Sequence, residues 1–129
     1  MVVDAGVLIG ALAIEQVGGP VGQRLSSATT LNAPSHIGVE FVNGVGRLVL
    51  LRKLARERAE QAIDDYLSLP IQQHRLEALT HRAWALRHSI TAYDAAYIAV
   101  AENLGQCLYT TDANLKSVPN PRCGVVVLP

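Results

Sequence analysis

The stretch TAYDAAYIAVAENLGQCLYTTD, residues 91–112, decides the fold class. Thr91 is suited to cap the N-terminus of a helix over Ala92–Leu104, and Gly105 is suited to end that helix. The helix is so apolar that the rest of the protein must enclose it almost completely. A β-rich run at 106–111 follows at once. A buried helix that leads directly into an apolar strand predicts an α/β protein with a parallel sheet.

Short runs of strand-forming residues alternate with longer helical segments along the rest of the chain. Further strands are predicted at 2–4, 31–33, 71–73 and 125–128, and further helices at 7–15, 21–28, 35–51, 54–69 and 76–88. This alternation predicts parallel strands joined by helical crossovers, in a three-layer α/β/α sandwich. The sequence shows no repeat, linker or low-complexity tract, so residues 1–129 are expected to form one domain.

The composition excludes several classes of protein. Half of the residues are hydrophobic and 17% are charged, which is not the composition of a disordered chain. Eleven acidic and eleven basic residues cancel, so a uniformly basic nucleic-acid-binding protein is excluded as well. One basic cluster exists, and it comprises Arg47, Arg52, Lys53, Arg56 and Arg58. This cluster is either a solvated helix face or a patch that contacts phosphates.

The sequence gives no sign of export or of membrane insertion. The first strand begins at Val2, with no charged or apolar leader segment before it. The apolar run at 95–101 is far shorter than the roughly 20 residues that a membrane helix needs. We therefore expect a soluble, cytoplasmic protein.

Two aspartates directly follow predicted strands. Asp4 comes after two valines, and Asp112 comes after the run Cys-Leu-Tyr-Thr-Thr. Ligands of open parallel α/β sheets bind in a crevice at the carboxyl ends of the strands, so these two side chains would share it if their strands are neighbours. The alternative for each aspartate is a structural helix cap.

Two further carboxylates stand in apolar helices. Asp94 lies in the most apolar helix, where its charge needs either a partner or the positive end of the helix dipole. Glu40 stands between Val39 and Phe41, and it shares one helix stripe with Asn43 and Arg47. For Glu40 the alternative is therefore a buried ion pair with arginine.

Enclosed carboxylates repel one another, and burying an unpaired charge is costly, so a cation must join them if they converge. The sequence has no His or Cys cluster, and hard oxygen ligands suit Mg²⁺ or Mn²⁺. Such an ion can lower the pKa of a water molecule and stabilise charge on a phosphoryl group. The pattern therefore predicts a metal-dependent nuclease.

Four segments together resemble the motif series of PIN-domain toxins of the VapC type, which belong to type II toxin–antitoxin systems. They are VVD at 2–4, PSHIGVEFVN at 34–43, TAYDAAYIAVAE at 91–102 and TTD at 110–112. The resemblance implies a parallel five-stranded sheet between helices. It also implies an endoribonuclease that is commonly a homodimer and is silenced by a cognate VapB-type antitoxin.

The resemblance also assigns roles to individual residues. Asp4, Glu40, Asp94 and Asp112 correspond to the acidic quartet that binds Mg²⁺ or Mn²⁺. Thr110 and Asn43 are expected to support these carboxylates by hydrogen bonds. Contact with RNA is expected of Arg47, Arg52, Lys53 and Arg56, an expectation that rests on their clustered charge and not on the resemblance.

Two positions depart from the family pattern, and one acid falls outside the quartet. Gly6 stands where the family often has Ser, Thr or Asn, and Asn114 stands where some relatives have another acid. The number of metal ions is therefore left open. Glu102 lies about two helical turns beyond Asp94, too far to share a metal ion, and we interpret it as structural.

Two other functions are compatible with parts of the pattern. One is a non-catalytic α/β protein-interaction module whose carboxylates are paired by Arg47 and Arg87. The other is an aspartyl-phosphate phosphatase or receiver domain, which also needs an acid after the first strand. Gly6 occupies the place of the second aspartate that such a phosphatase would carry, and this disfavours it.

Overall fold

The computed structural model describes residues 1–16 and 18–129 and contains a five-stranded parallel sheet. Its strands are β1 (Val2–Val3), β2 (Leu31–Pro34), β3 (Ile71–His74), β4 (Leu108–Thr110) and β5 (Val125–Val127). The strand order is β3-β2-β1-β4-β5, and every neighbouring pair is parallel. The predicted α/β/α sandwich with a parallel five-stranded sheet is thereby confirmed.

The helices alternate with the strands as the sequence predicts. They are α1 (Ala5–Ile9), α2 (Pro20–Ser26), α3 (Ile37–Leu50), α4 (Arg56–Ser68), α5 (Thr80–Ala85) and α6 (Ala92–Leu104). Helix α1 contacts α3, which contacts α4, whereas α5 and α6 contact each other. Right-handed crossovers place α1 to α4 on one face of the sheet and α5 and α6 on the other. Within the described ranges, no helix has the length and apolar character needed to span a membrane.

Two predicted helices differ from the observed ones. The segment predicted as one helix at 7–15 is α1 followed by a π-helical stretch, Gly10–Ile14. The segment predicted at 76–88 is a 3₁₀ turn, Leu76–Leu79, followed by the short helix α5. In that second segment only Leu79 and Leu86 are buried. Two buried side chains do not form the continuous apolar stripe that stabilises a long helix, so the helix is short.

Helix α6 forms the centre of the core. Residues 95–101 are all buried, and the helix packs against β1, β2 and β4. Its ends agree with the prediction, since the Thr91 hydroxyl accepts from the backbone N–H of Asp94 and Gly105 adopts a left-handed conformation at φ 61°. An enclosed helix of this kind holds its first turn in a fixed position against the sheet.

The sheet topology determines where a site can form. From β1 the chain adds β2 and β3 on one side and later β4 and β5 on the other, so the strand order reverses between β1 and β4. We call the side of the sheet where the strands end the carboxyl edge. Ligand sites of open α/β sheets lie at this edge, next to the point of reversal. Asp4 and Asp112 follow the two strands that flank that point.

Candidate active site

Asp4 is a helix cap and a buried carboxylate at once. One oxygen, Oδ1, accepts from the backbone N–H of Val7 at 2.8 Å and caps α1. The other, Oδ2, accepts from the hydroxyl of Thr110 on the neighbouring strand. The residue is 9% exposed. The capping alternative raised by the sequence therefore describes one oxygen of Asp4, while the second faces the β1–β4 junction.

The surroundings of Asp4 disfavour its negative charge. Burial raises the pKa of the carboxyl, and hydrogen bonds from Thr110, Val7 and Thr111 only partly oppose this. The nearby negative charge of Glu40 raises the pKa further. A positive charge at this position would reverse the effect, because it stabilises the ionised form.

Glu40 is held by the phenol of Tyr97, which lies next to the start of α1. The Tyr97 hydroxyl donates to Oε2 of Glu40 at 2.5 Å and also lies near the backbone N–H of Ala5, the residue after Asp4. Burial, together with the charges of Glu40 and Asp4, raises the pKa of Tyr97, so its hydroxyl remains a proton donor. A tyrosine in an apolar helix is ordinarily a packing residue, and the signal for its role was its position three residues after Asp94, on the same helix face.

His36 lies on the other side of Glu40. Its Nε2 is 3.7 Å from Oε1 of Glu40, which is too long for a hydrogen bond. This nitrogen is buried and has no hydrogen-bond partner among the described residues. The imidazole packs edge-on against Tyr97 and Tyr93, with ring centroids 5.2 and 5.7 Å away.

Asp112 joins the group through Thr110. The Thr110 hydroxyl, which donates to Asp4, accepts from the backbone N–H of Asp112 at 2.9 Å. Asp112 in turn caps the 3₁₀ turn Ala113–Ser117 by accepting from the N–H of Asn114 at 2.8 Å. Thr110 is fully buried, so it holds the two strand ends at a fixed separation.

Asp94 lies in the first turn of α6, at the same edge. Its Oδ2 accepts from the hydroxyl of Thr91 at 3.1 Å. The side chain is half-buried, and in the described part of the chain no hydrogen bond joins it to Asp4, Glu40 or Asp112. The structure therefore links Asp4 to Asp112 through the hydroxyl of Thr110, joins Glu40 to the hydroxyl of Tyr97, and places Asp94 one helical turn before Tyr97.

Two arginine pairings considered from the sequence are wrong. Among residues 1–16 and 18–129, no Lys or Arg nitrogen lies within 4.0 Å of Asp4, Glu40, Asp94 or Asp112. Arg47 is exposed on α3, and Arg87 stacks instead on Trp84 at 4.2 Å from the ring centroid. Spacing along a helix indicated a shared stripe but not the direction in which a long side chain bends.

Asn43 does not support the carboxylates as expected. It lies exposed on α3, and the structure gives it no side-chain hydrogen bond to the acids among the described residues. It lies three residues after Glu40, almost a full turn along the helix, while the carboxylate of Glu40 is directed toward Tyr97.

A hydroxyl that the sequence did not indicate lies beside Gly6. A Cβ built on Gly6 would overlap Oγ1 of Thr111 and would lie 3.4 Å from Oδ1 of Asp4. The backbone N–H of Thr111 also donates to Asp4. The departure at Gly6 is therefore matched by a hydroxyl from the end of β4, which occupies the space that a side chain at position 6 would take.

The basic cluster lies away from the carboxylates. Arg52 and Lys53 follow the end of α3 at Leu50, which lies about 15 Å along the helix axis from Glu40 at the usual rise per residue. Arg56 is exposed and forms surface ion pairs with Glu57 and Glu60 at 3.7 and 3.6 Å. Such exposed pairs contribute little to stability, so these side chains are available to a polyanion.

The donor chemistry of the carboxyl edge suits a hard divalent cation. All four side chains offer carboxylate oxygen, and the buried Asp4 lacks a compensating positive charge. In the described part of the chain, no three His, Cys, Asp or Glu side chains lie close enough together to hold an ion as they stand. Binding would therefore require side-chain rotation, which is open to the half-buried Asp94 and Asp112.

Comparison with known proteins agrees with this fold. A family model described as the PIN domain matches residues 1–121, so the chain belongs to the PIN-domain family. Ribonuclease VapC12 of Mycobacterium tuberculosis is 32% identical over 115 residues, which are 89% of this chain and 88% of that protein. Ribonuclease VapC9 of the same organism is 29% identical over 129 residues, covering 100% of this chain and 98% of VapC9. These relatives place the chain with the VapC-type members of the family.

Solved structures show the same fold at low sequence identity. The crystal structure of VapBC2 from Rickettsia felis, bound to a DNA fragment from its promoter, superimposes with a TM-score of 0.71 and 15% identity. The alignment covers 99% of this chain and 98% of that one. At this identity the similarity concerns the fold alone.

Proposed function

We propose that this protein is a metal-dependent endoribonuclease and the toxin component of a type II toxin–antitoxin pair, active in the cytoplasm. The observation that carries the proposal is the buried carboxylate of Asp4 at the β1–β4 junction, near the charge of Glu40 and without any Lys or Arg partner among the described residues. The names of VapC12 and VapC9, both called ribonucleases, support RNA as the substrate.

In this proposal Asp4, Glu40, Asp94 and Asp112 hold Mg²⁺ or Mn²⁺. The bound ion supplies the chemistry of phosphodiester hydrolysis, since it lowers the pKa of a water molecule and offsets charge on the phosphoryl oxygens. The protein supplies position. Tyr97 fixes one oxygen of Glu40, and Thr110 fixes one oxygen of Asp4 and the backbone of Asp112.

The basic cluster can hold the RNA backbone while the carboxyl edge acts on it. An RNA strand that reaches from Glu40 to the end of α3, next to Arg52, must span about 15 Å along the helix, so several nucleotides would separate the two contacts. Phosphate contacts of this kind fix the position of a nucleic acid without reading its sequence.

The decisive experiment measures cleavage of single-stranded RNA by the purified protein with Mg²⁺, with Mn²⁺ and with EDTA. We expect cleavage only with a divalent ion and a loss of about 100-fold or more in Asp94→Asn and in Asp4→Asn, because each removes a charged oxygen ligand. Asp64→Asn is the matched control, since Asp64 is exposed on α4 and should leave the rate unchanged. Undiminished cleavage by folded Asp94→Asn protein would overturn the proposal.

A VapB-type antitoxin is the proposed protein partner, and a homodimer is the proposed assembly. Exposed apolar side chains on α3, among them Val39, Val42 and Leu50, offer a surface for an amphipathic helix. Copurification with the co-expressed antitoxin tests the first proposal, and light scattering of the isolated protein tests the second. A protein that is harmless when produced alone and recovers no partner would remove the toxin assignment while leaving the nuclease proposal in place.

A further inference from the structure

We propose that the cavity between α5 and the start of α6 binds a nucleobase of single-stranded RNA, with Trp84 and Tyr93 as the stacking residues. The inference rests on the proposed ribonuclease activity and adds to it a substrate-binding subsite. The cavity has a volume of about 520 Å³, within the range of about 300–1,000 Å³ that is usual for ligand sites.

The cavity is continuous with the carboxyl edge. Three of its lining residues, His36, Thr91 and Tyr93, also border the carboxylates. His36 Nε2 lies 3.7 Å from Glu40, the Thr91 hydroxyl donates to Asp94, and Tyr93 directly precedes Asp94 in α6. A phosphate held at the carboxylates therefore leaves an adjoining base within reach of the cavity.

The walls of the cavity present aromatic rings to solvent. Trp84 is 66% exposed and Tyr93 is 62% exposed, although both are large side chains that the fold could have buried. The floor is formed by apolar residues of the core, including Leu79 and Ala96. Aromatic side chains above an apolar floor bind the faces of bases, and this stacking tolerates any base because every base has a π-face.

The charge at the cavity favours a nucleotide over an apolar protein segment. The guanidinium of Arg87 lies 4.2 Å from the centroid of the Trp84 ring, and its Nη1 donates to the carbonyl of Trp84 at 3.0 Å. Among the described residues no carboxylate lies within 4.0 Å of Arg87, so its remaining donors are free. A stacked base brings a phosphate to this cation, whereas an apolar helix would bury the cation unpaired.

The first test uses Trp84 as its own reporter, because it is the single tryptophan of the chain. A single-stranded RNA of about ten nucleotides is titrated into the wild-type protein in EDTA, where the proposed cleavage does not proceed. We expect saturable quenching of the tryptophan fluorescence, and weaker binding by Tyr93→Ala. An abasic oligonucleotide of equal length should not quench. Absent quenching, or equal quenching by the abasic strand, overturns the proposal.

The second test separates stacking from catalysis. Trp84→Ala should raise KM for single-stranded RNA about tenfold with little change in kcat, as the loss of one stacked base predicts, and Trp84→Phe should restore most of the affinity. Arg87→Gln should reduce the slope of log affinity against log salt by about 0.7, the contribution of one phosphate contact to a single strand. Leu67→Ala is the control, since Leu67 is 73% exposed on α4 and does not line the cavity.

The outcomes distinguish this inference from the proposed function. If RNA quenches the fluorescence of the protein but is not cleaved, the proposed activity is wrong and the base site is supported. If the Trp84→Ala variant cleaves RNA with an unchanged KM, the proposed base site is wrong and the proposed activity is supported. If Trp84→Ala changes only the oligomeric state, the cavity is a protein interface and the base site is overturned. Thermal melts of each variant show that it is folded.

Discussion

Two buried carboxylates beside helix α6 are in opposite electrostatic states: Glu102 belongs to the C-terminal end of the helix, whereas Asp4 follows β1 and lies near Tyr97, toward the N-terminal end. At the last turn, Glu102 accepts from Nε and Nη2 of Arg82 at 2.7 and 2.9 Å and from the backbone N–H of Arg122 at 3.0 Å. Burial opposes ionisation there, but these donors prevail and lower the pKa of Glu102. Toward the other end of the helix, Asp4 accepts hydrogen bonds only from hydroxyl and backbone groups, and burial raises its pKa.

The contrast shows which property of a buried acid indicates function. Burial is common to both ends, and so is hydrogen bonding. Only the Glu102 end includes a cation, so that carboxylate is satisfied within the fold, in agreement with its structural interpretation. The Asp4 end retains a negative charge that the protein itself does not offset, and this is the property expected of a site for an external cation.

The largest effect that distinguishes the two ends is stabilisation by a divalent ion. Mn²⁺ at about 100 times its Kd should stabilise the wild-type protein by about 2.7 kcal/mol, because it binds only the folded state. In thermal melts the shift should vanish in Asp4→Asn and persist in Glu102→Gln. An equal shift in both variants would show that the ion binds elsewhere.

A smaller effect on stability should follow from removing the ion pair between Glu102 and Arg82. Glu102→Gln should cost about 1–2 kcal/mol of unfolding free energy, less than for a fully buried pair because Arg82 is 27% exposed and partly solvated. Urea denaturation measures this loss. The pKa of Glu102 is lower in the folded state than in the unfolded state, so its ionised form stabilises the fold at any pH above the unfolded-state pKa. This stabilisation is lost as the pH falls through the folded-state pKa. RNA cleavage per folded molecule should stay at the wild-type rate.

The smallest effect is on the stability of the metal-free protein, and it comes from the buried carboxyl of Asp4. The pKa of Asp4 is raised in the folded state above its ordinary value of 3.8. Ionisation of Asp4 therefore lowers the stability of the fold as the pH rises from 3.8 through the folded-state pKa. Asp4→Asn removes this cost and keeps an acceptor for the Val7 N–H. In EDTA at neutral pH the variant should melt a few degrees above the wild type, and the difference should disappear near pH 3. A variant that melts below the wild type at neutral pH contradicts this reasoning.

Sequence patterns gave the fold and the general position of the site. Alternation of strands and helices predicted the parallel sheet, and the two strand-ending aspartates do follow neighbouring strands. Contacts between distant segments were beyond such patterns. Tyr97 and Glu40 are 57 positions apart, and no spacing rule joins them. Arg47 shows the converse, since the helix stripe that it shares with Glu40 did not determine where its long side chain points.

Gly6 and Thr111 compete for one volume beside Asp4, and this makes the two positions interdependent. A serine introduced at position 6 alone would collide with the Thr111 hydroxyl, whereas the same change together with Thr111→Ala would exchange one hydroxyl for another. Considered alone, Gly6 therefore looks like the loss of a polar group beside Asp4. Considered together, the two positions keep one hydroxyl beside Asp4, which Thr111 supplies after β4 in place of a side chain in α1.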